Sequence, residues 1–306
     1  MRERYNYVIA RSVATWQSLV TNNILKIATS RIYGTRDDKS KLMKILFFGD
    51  TVGKIGRRAL QQSIKDYRTE FEPDLVIVNV ENIAHGIGMT RKTLEEVIVA
   101  GGDFFTGGNH SLKKPESAEL LNDISLNVIR PANFPAGTPG DGYRVIEVGS
   151  RKILIINLMG QVFMKEESVN PFKMVDEILS KFKDQKLAGI IVDFHAEATS
   201  EKAAFGHYVD GRVSAVVGSH THVPTADLKI LPGGTAFVTD VGMVGSADSV
   251  IGDDKGPIIQ AFLSGENPKI NVVDSGPAEI GCIFLELDSN TGKVIDFKRV
   301  DKKVNV

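Results

Sequence analysis

The segment VSAVVGSHTH, residues 213–222, gives the clearest indication of fold class in this 306-residue sequence. Its first half is almost entirely apolar and does not alternate, as expected of a strand buried on both faces of a sheet. It ends in two histidines, His220 and His222, separated by Thr221. Side chains two residues apart in an extended segment share a face, so both imidazoles are predicted to point into one site.

Six further segments repeat this pattern of an apolar run that ends in polar or glycine residues. Between them lie segments with helical periodicity, and this alternation is typical of an α/β domain. Near the end of the chain, residues 281–300 alternate around the turn Ser289-Asn290-Thr291-Gly292, which predicts a β-hairpin. The predicted strands are 44–50, 74–82, 103–110, 152–160, 189–197, 213–222 and 235–243, and the predicted helices are 57–71, 90–101 and 171–182.

The polar residues at the ends of these runs are the candidates for a functional site. In open α/β sheets, ligands bind outside the carboxyl ends of the strands. Carboxylate, amide and imidazole groups from several strand ends are therefore expected to meet at one edge. Besides the two histidines, these residues are Asp50, Glu81, Asn82, Asn109, His110 and His195.

This set of side chains favours a metal site with nitrogen and oxygen ligands. Imidazoles with carboxylates and amide oxygens suit iron, manganese or zinc, and the lack of ligating cysteines argues against a structural zinc site. Seven candidate ligands exceed the needs of one ion but suit two ions about 3.5–4 Å apart that share a carboxylate. Taken singly, Asp50 also fits a simple turn, and Glu81 with Asn82 also fits a helix cap.

Composition sets the general class of the protein. Its 42% hydrophobic and 25% charged residues are typical of a soluble globular protein, and no apolar run is long enough to cross a bilayer. A net charge of −1 does not indicate a general nucleic-acid-binding surface. The single cysteine, Cys282, excludes an internal disulfide, predicts a buried structural thiol and fits a cytoplasmic location.

The first 42 residues differ from the rest of the chain. They contain eight Lys or Arg and three Asp or Glu, so they are strongly basic while the remainder is acidic. Such a leader is typical of a transit peptide, or it reflects a start codon upstream of the true one at Met43. The predicted organisation is therefore an N-terminal extension, 1–42, disordered or wrongly included, followed by one catalytic domain, 43–306.

Several motifs resemble those of the calcineurin-like metallophosphoesterases: Gly49-Asp50, Gly108-Asn109-His110, His195 and the segment 218–222. Two departures from the general pattern match one branch of that family. The usual Asp-x-His of the first strand is replaced by Asp50-Thr51-Val52, and the usual Gly-Asp block of the second by residues 79–82, Asn-Val-Glu-Asn. From Met43 to about Val300, the chain resembles the YmdB-type 2′,3′-cyclic-nucleotide 2′-phosphodiesterases.

The resemblance implies a β-sandwich flanked by helices, arranged α/β/β/α, and a pair of ions, iron with manganese as a substitute. It implies hydrolysis of a cyclic nucleotide to the 3′-phosphate by a hydroxide formed at the ions, with His110 as the proton donor. Glu81 would bridge both ions. The remaining ligands would be Asp50, Asn82 and His222 for one ion, and Asn109, His195 and His220 for the other.

Two other functions remain open on the sequence alone. One is a phosphomonoesterase, such as a nucleotidase or protein phosphatase, with the same ions. The other is a regulator that binds a nucleotide or RNA end without turnover, although a pure binder has no need of a proton donor. The native metal, the base preference and a homo-oligomeric state are not determined. Glu197 is either a residue that orients His195 or a solvated acid.

Overall fold

The structure is a computed structural model that describes residues 41–266, 268–269 and 271–306. The predictions for the leader lie outside these residues, apart from Lys41 and Leu42. Leu42 already forms part of the first strand, one residue before the predicted start of the catalytic domain at Met43.

The described residues form fifteen strands and six α-helices, with one 3₁₀ turn at Ile124–Leu126. The strands are β1 Leu42–Phe48, β2 Asp50–Thr51, β3 Leu75–Asn79, β4 Phe104–Thr106, β5 Tyr143–Val148, β6 Arg151–Met159, β7 Gly189–His195, β8 Ala215–Ser219, β9 Lys229–Ile230, β10 Ala236–Val238, β11 Met243–Ser246, β12 Pro277–Ile280, β13 Cys282–Asp288, β14 Val294–Arg299 and β15 Lys302–Asn305. The helices are α1 Gly53–Phe71, α2 Arg91–Ala100, α3 Ser117–Asn122, α4 Pro171–Phe182, α5 Thr199–Tyr208 and α6 Lys255–Ser264.

Two sheets carry the fold. The first has the strand order β14-β13-β1-β3-β4, and the second has the order β5-β6-β7-β8-β10-β9. Strands β1, β3 and β4 are parallel, and so are β6, β7, β8 and β10. A smaller sheet, β15-β12-β11-β2, extends from the first and pairs Asp50 with Met243. Because the parallel strands run in the same direction within each sheet, their carboxyl ends, and the residues that follow them, lie at one edge of that sheet.

The two large sheets pack face to face, with helices on their outer faces. Strand β1 shows why: Ile45 and Phe47 lie in the core between the sheets, whereas Leu46 and Phe48 pack under the first helix layer. This alternation follows from the two-residue period of a strand. Helices α1 and α2 cover the first sheet, and α4 and α5 cover the second. The predicted β-sandwich flanked by helices is confirmed.

The helices form where capping residues begin them. Thr90 caps α2 and shares a reciprocal hydrogen-bond pair with Thr93, and the side chain of Asn170 accepts hydrogen bonds at the start of α4. The predicted helices are confirmed, and α1 begins at Gly53, before the predicted Arg57. Helices α3, α5 and α6 were not predicted.

Most predicted strands are confirmed, but the segment 235–243 is not a single strand. It contains β10, which ends at Val238 in the second sheet, and the first residue of β11, which belongs to the smaller sheet. The chain changes direction at Gly242, which has a φ of 89°. An apolar run does not reveal this break, because both pieces are buried.

The predicted terminal hairpin is confirmed by the antiparallel pairing of β13 with β14. Cys282, in β13, is fully buried, and burial raises the pKa of its thiol, so the predicted structural thiol is confirmed as well. No helix among the described residues combines the length and apolar character that a membrane span requires.

Candidate metal centre

The structure brings together all eight side chains that the sequence predicts for the site. His195 is the last residue of β7, His220 follows β8 directly, and Asp50 opens β2. The others lie on the loops that follow β3, β4 and β8: Glu81, Asn82, Asn109, His110 and His222.

Four of these residues form a compact group, here called the inner cluster: Glu81, Asn109, His195 and His220. The Nε2 atom of His195 lies 2.9 Å from Asn109 Oδ1, 3.0 Å from His220 Nδ1 and 3.4 Å from Glu81 Oε2. His195 is fully buried, and Glu81 is almost fully buried. The donor atoms of Glu81, His195 and His220 all lie within 4.8 Å of one another, which suits a shared metal ion.

The outer cluster contains Asp50, Asn82 and His222, together with the other oxygen of Glu81. Asn82 Nδ2 lies 3.0 Å from Glu81 Oε1 and 3.3 Å from His222 Nε2. The separation between His222 Nε2 and Asp50 Oδ1 is wider, at 4.0 Å. Asp50 Oδ2 accepts a hydrogen bond from the backbone N–H of His220, while its Oδ1 is buried without a hydrogen-bond partner.

His110 lies beside the carboxylate that both clusters share. Its backbone N–H donates to Glu81 Oε2 over 3.0 Å, and its Nδ1 lies 2.7 Å from Asn82 Oδ1 and 3.3 Å from Glu81 Oε1. With a side chain 28% exposed, it is more accessible than His195 or Glu81. Its position therefore combines contact with the site and access to solvent.

Gly108 allows this close approach. A Cβ atom at residue 108 would lie 2.1 Å from Glu81 Oε2 and 2.4 Å from His195 Nε2. A side chain here would therefore occupy the space between the donor atoms of the inner cluster. The two glycines before Asn109 bring the chain as close to the site as the sequence predicts.

The loop after β8 reaches the site by a route that differs from the prediction. Strand β8 ends at Ser219, and both His220 and His222 have positive φ values, 101° and 65°. The prediction that the two imidazoles share one face of an extended segment is therefore wrong in its geometry. The histidines reach the site through backbone conformations that non-glycine residues adopt only when their surroundings hold them.

A buried ion pair holds this strained loop. Lys202 Nζ lies 2.8 Å from Asp240 Oδ2 and donates to the carbonyl oxygen of Ser219 over 2.7 Å. The same oxygen of Asp240 accepts from Thr221 N and Thr221 Oγ1, at 3.0 and 2.7 Å. Both charged side chains are almost fully buried, so the pair is satisfied by these contacts rather than by water.

The charges in the site shift one another's pKa values. Burial alone would raise the pKa of Glu81, but the charge on His195 and the hydrogen bonds from His110 and His195 hold it well below its usual range. Burial alone would lower the pKa of His195, but Glu81, then Asp50 and Asp193, raise it to about 9. Burial and the neighbouring His195 lower the pKa of His220 to about 3. A positive charge is therefore favoured at His195, among carboxylates.

Of the two roles predicted for Glu197, the orientation of His195 is wrong, whereas its 48% exposed side chain agrees with the solvated acid. Glu197 does not contact His195; its Oε2 lies 3.0 Å from His220 Nε2. The partner of His195 is Ser219, whose Oγ lies 3.0 Å from His195 Nδ1. Ser219 Oγ in turn donates to Asp193 Oδ1. The sequence offered one signal for this arrangement, because Asp193 precedes His195 by two residues in the same strand and so lies on the same face.

Comparison with known proteins identifies the family. The family described as YmdB-like protein matches residues 46–300. The chain belongs to the YmdB-like family. It is 41% identical over 258 residues to a 2′,3′-cyclic-nucleotide 2′-phosphodiesterase from Bacillus subtilis, a match that covers 84% of this chain and 96% of that protein. Membership confirms the prediction that the chain is an enzyme, a hydrolase.

Solved structures agree with this assignment. A crystal structure of a novel phosphatase from Mycoplasma pneumoniae has a TM-score of 0.81 and 38% identity, covering 86% of this chain and 94% of that one. A putative 5′-nucleotidase from Staphylococcus aureus, crystallised with α-ketoglutarate, has a TM-score of 0.54 at 13% identity, covering 86% of this chain and 54% of that one. This more distant likeness concerns the fold alone, and it supports the calcineurin-like metallophosphoesterase fold.

The site of this YmdB-like chain fits a divalent metal on its own chemistry. The donor atoms of the inner cluster converge, Asp50 Oδ1 is buried without a partner, and the space between the donors is kept clear by Gly108. Buried carboxylates require compensation by a cation or a proton. The imidazoles among the ligands favour a transition metal, since calcium and magnesium prefer oxygen ligands.

Proposed function

We propose that the protein is a dinuclear metal-dependent phosphodiesterase that hydrolyses 2′,3′-cyclic nucleotides to 3′-phosphates. The observation that carries this proposal is the placement of Glu81. Its Oε2 faces the inner cluster and its Oε1 faces the outer cluster, as a carboxylate shared by two ions would. Phosphodiesterase activity is also the activity named for the relative from Bacillus subtilis.

Each cluster would hold one ion, with Glu81 common to both. The inner ion would be bound by Asn109, His195 and His220, and the outer ion by Asp50, His222 and Asn82. Asn82 would turn its amide oxygen toward the ion in place of the Nδ2 atom that faces the cluster. When bound, such a pair of ions holds phosphoryl oxygens and lowers the pKa of water, which supplies the attacking group near neutral pH. Iron suits these mixed ligands, with manganese as its substitute.

His110 would act as the proton donor. Its Nδ1 is engaged by Asn82 and Glu81, which leaves Nε2 for the substrate. In its protonated form the ring would deliver a proton to the departing 2′-oxygen, so that this oxygen leaves as a hydroxyl group. General acid catalysis of this kind contributes roughly 10²–10⁴-fold to the rate. The contacts to Glu81 and Asn82 also fix the orientation of the ring.

A phosphomonoesterase remains the alternative, since the related protein from Mycoplasma pneumoniae is described as a phosphatase. The diesterase is favoured because the relative from Bacillus subtilis, 41% identical over 258 residues, is named a 2′,3′-cyclic-nucleotide 2′-phosphodiesterase. The imidazole of His110, beside the shared carboxylate, can supply the proton that a sugar 2′-oxygen needs to leave, although it would serve a monoester as well.

Hydrolysis of three substrates separates the two functions: 2′,3′-cyclic AMP, bis-p-nitrophenyl phosphate and p-nitrophenyl phosphate. We expect activity on both diesters, loss of activity on chelation and recovery with Mn²⁺. The nucleotide product should be the 3′-phosphate. Activity confined to p-nitrophenyl phosphate would establish the phosphomonoesterase instead. Metal analysis of the same preparation should find two ions per chain.

A further inference from the structure

On the side of the ring that faces away from the inner cluster, His195 is held by two buried residues, Ser219 and Asp193, that have no role in the proposed chemistry. Its Nδ1 lies 3.0 Å from Ser219 Oγ, and Ser219 Oγ in turn donates to Asp193 Oδ1 over 2.6 Å. His195 and Ser219 are paired across β7 and β8, which sets this contact. All three side chains are fully buried, so water does not compete for these hydrogen bonds.

A further residue, Asn79, fixes Asp193 Oδ2 as an acceptor. Its Nδ2 donates to Asp193 Oδ2 and to the carbonyl oxygen of Gly107, both at 3.1 Å, and its Oδ1 accepts from the N–H of Glu81 at 3.1 Å. A rotated Asn79 amide would lose all three contacts. Asp193 Oδ2 therefore accepts. With the carboxyl group ionised, Oδ1 accepts as well, and the hydroxyl hydrogen of Ser219 points at Asp193.

This arrangement determines whether Nε2, the nitrogen of His195 that faces the inner cluster, carries a lone pair or a hydrogen. Because the hydroxyl of Ser219 donates to Asp193, its oxygen can only accept from His195, so Nδ1 carries a hydrogen. We infer that Asp193 and Ser219 are positioning residues that keep the His195 proton on Nδ1 and so present Nε2 as a metal ligand. This inference rests on the proposed metal centre.

His220 shows the complementary arrangement. It faces the inner cluster with Nδ1, 3.0 Å from His195 Nε2, and its Nε2 contacts Glu197. Glu197 is 48% exposed, so water can replace its carboxylate. The support of His195 is buried and directional, whereas the support of His220 is open to solvent. The same change of carboxylate to amide is therefore expected to have different effects at Asp193 and Glu197.

The decisive substitution is Asp193→Asn. An amide has one accepting oxygen, and Asn79 requires it, so the amide NH₂ would face Ser219. The serine hydroxyl would then turn to donate to His195 Nδ1, and the hydrogen of His195 would move to Nε2, where it blocks metal binding. Glu197→Gln is the matched control, because a solvated amide can turn its oxygen toward His220. Ser219→Ala removes the relay, which is the chain of hydrogen bonds from His195 through Ser219 to Asp193, without placing an amide near His195.

The test is titration with Mn²⁺ of the wild-type protein and the three variants, followed by electron paramagnetic resonance and metal analysis. Wild type and Glu197→Gln are expected to bind two ions with a spin-coupled spectrum. Asp193→Asn is expected to bind one ion with the six-line spectrum of isolated Mn²⁺. Ser219→Ala is expected to weaken one ion by roughly 10–100-fold, the usual effect of losing such a partner. A merely structural role would lower the melting temperature without producing the six-line spectrum.

The possible results separate the two proposals. If wild type binds fewer than two ions, the proposed function fails. If wild type binds two and Asp193→Asn also binds two with unchanged affinity, the relay is refuted while the proposed function stands. Should Asp193→Asn fail to fold, Ser219→Ala decides, since unchanged affinity for both ions in that variant contradicts the relay.

Discussion

The inner and outer clusters share one carboxylate but are built differently. In the inner cluster, the donor atoms lie within 2.9–3.4 Å of His195 Nε2, and His195 itself ends a strand in the middle of a sheet. In the outer cluster, His222 lies on a loop, its Nε2 is 4.0 Å from Asp50 Oδ1, and its Nδ1 contacts the carbonyl oxygen of Ile251 over 2.7 Å. Strand ends fix ligands more closely than loops do.

This difference leads to an expectation about the ions. Ligands already in place lose little conformational entropy on binding, so the inner ion should be held more tightly. The outer ion depends on His222, whose Nε2 stands 4.0 Å from Asp50 Oδ1 and whose Nδ1 is held by the backbone of a loop residue, Ile251. We therefore expect the outer ion to bind second and to exchange first.

The largest effect is expected where the clusters meet, in the variant Glu81→Ala. Removal of the shared carboxylate should weaken the binding of both ions. It should lower kcat/KM for 2′,3′-cyclic AMP on the order of 10³-fold or more, which is about 4 kcal/mol in activation free energy. Steady-state kinetics and metal analysis measure the change. Glu177→Ala, on the exposed face of α4, is the matched control. Retention of two ions in Glu81→Ala would show that the clusters are independent.

His110→Ala should have the next largest effect, and it should change rate rather than metal content. Loss of the proton donor is expected to lower kcat by roughly 10²–10⁴-fold, because the 2′-oxygen must then leave without a proton. His207→Ala, on the exposed surface of α5, controls for loss of an imidazole. A parallel loss of metal would mean that His110 supports the clusters and is not the proton donor.

A pair of histidine variants compares the clusters directly. His195→Ala should weaken the tighter ion by at least the roughly 10–100-fold that loss of a supporting residue costs. His222→Ala should leave that ion in place and weaken only the second. Calorimetric titration with Mn²⁺ resolves the two binding events. The inner cluster does not hold the tighter ion if His222→Ala weakens that ion and His195→Ala leaves it unchanged.

The sequence predicted the fold, and it predicted which side chains the fold brings together, because both depend mostly on local patterns. Buried parallel strands are continuous apolar runs, and in each sheet their carboxyl ends lie at one edge, so Asp50, Glu81 and His195 were found from their positions alone. What the sequence did not show are contacts between elements. The register that places Ser219 against His195 comes from sheet pairing, and the contact of Glu197 with His220 depends on the turn after Ser219. Neither leaves a periodic signal.

The effect expected to be smallest, when counted for each pH unit, is the response of the inner ion to pH. The pKa of His195 is raised to about 9, so below that pH its Nε2 carries a proton that a metal must displace. The pKa of His220 is lowered to about 3, so this ring is already neutral and releases no proton above that pH. Apparent affinity for the inner ion should therefore rise by up to about tenfold per pH unit between pH 6 and 9, and level off above it.

Calorimetry in buffers with different ionisation enthalpies measures the protons released. His195 is expected to contribute about one proton per inner ion at pH 7, measured as the difference in proton release between the wild-type protein and His195→Ala. In His195→Ala the residual affinity should lose this dependence, since no other ligand of the inner cluster titrates in that range. A release close to zero in the wild-type protein would mean that His195 enters the site already neutral, and the Glu81 carboxylate would then need another cation to balance it.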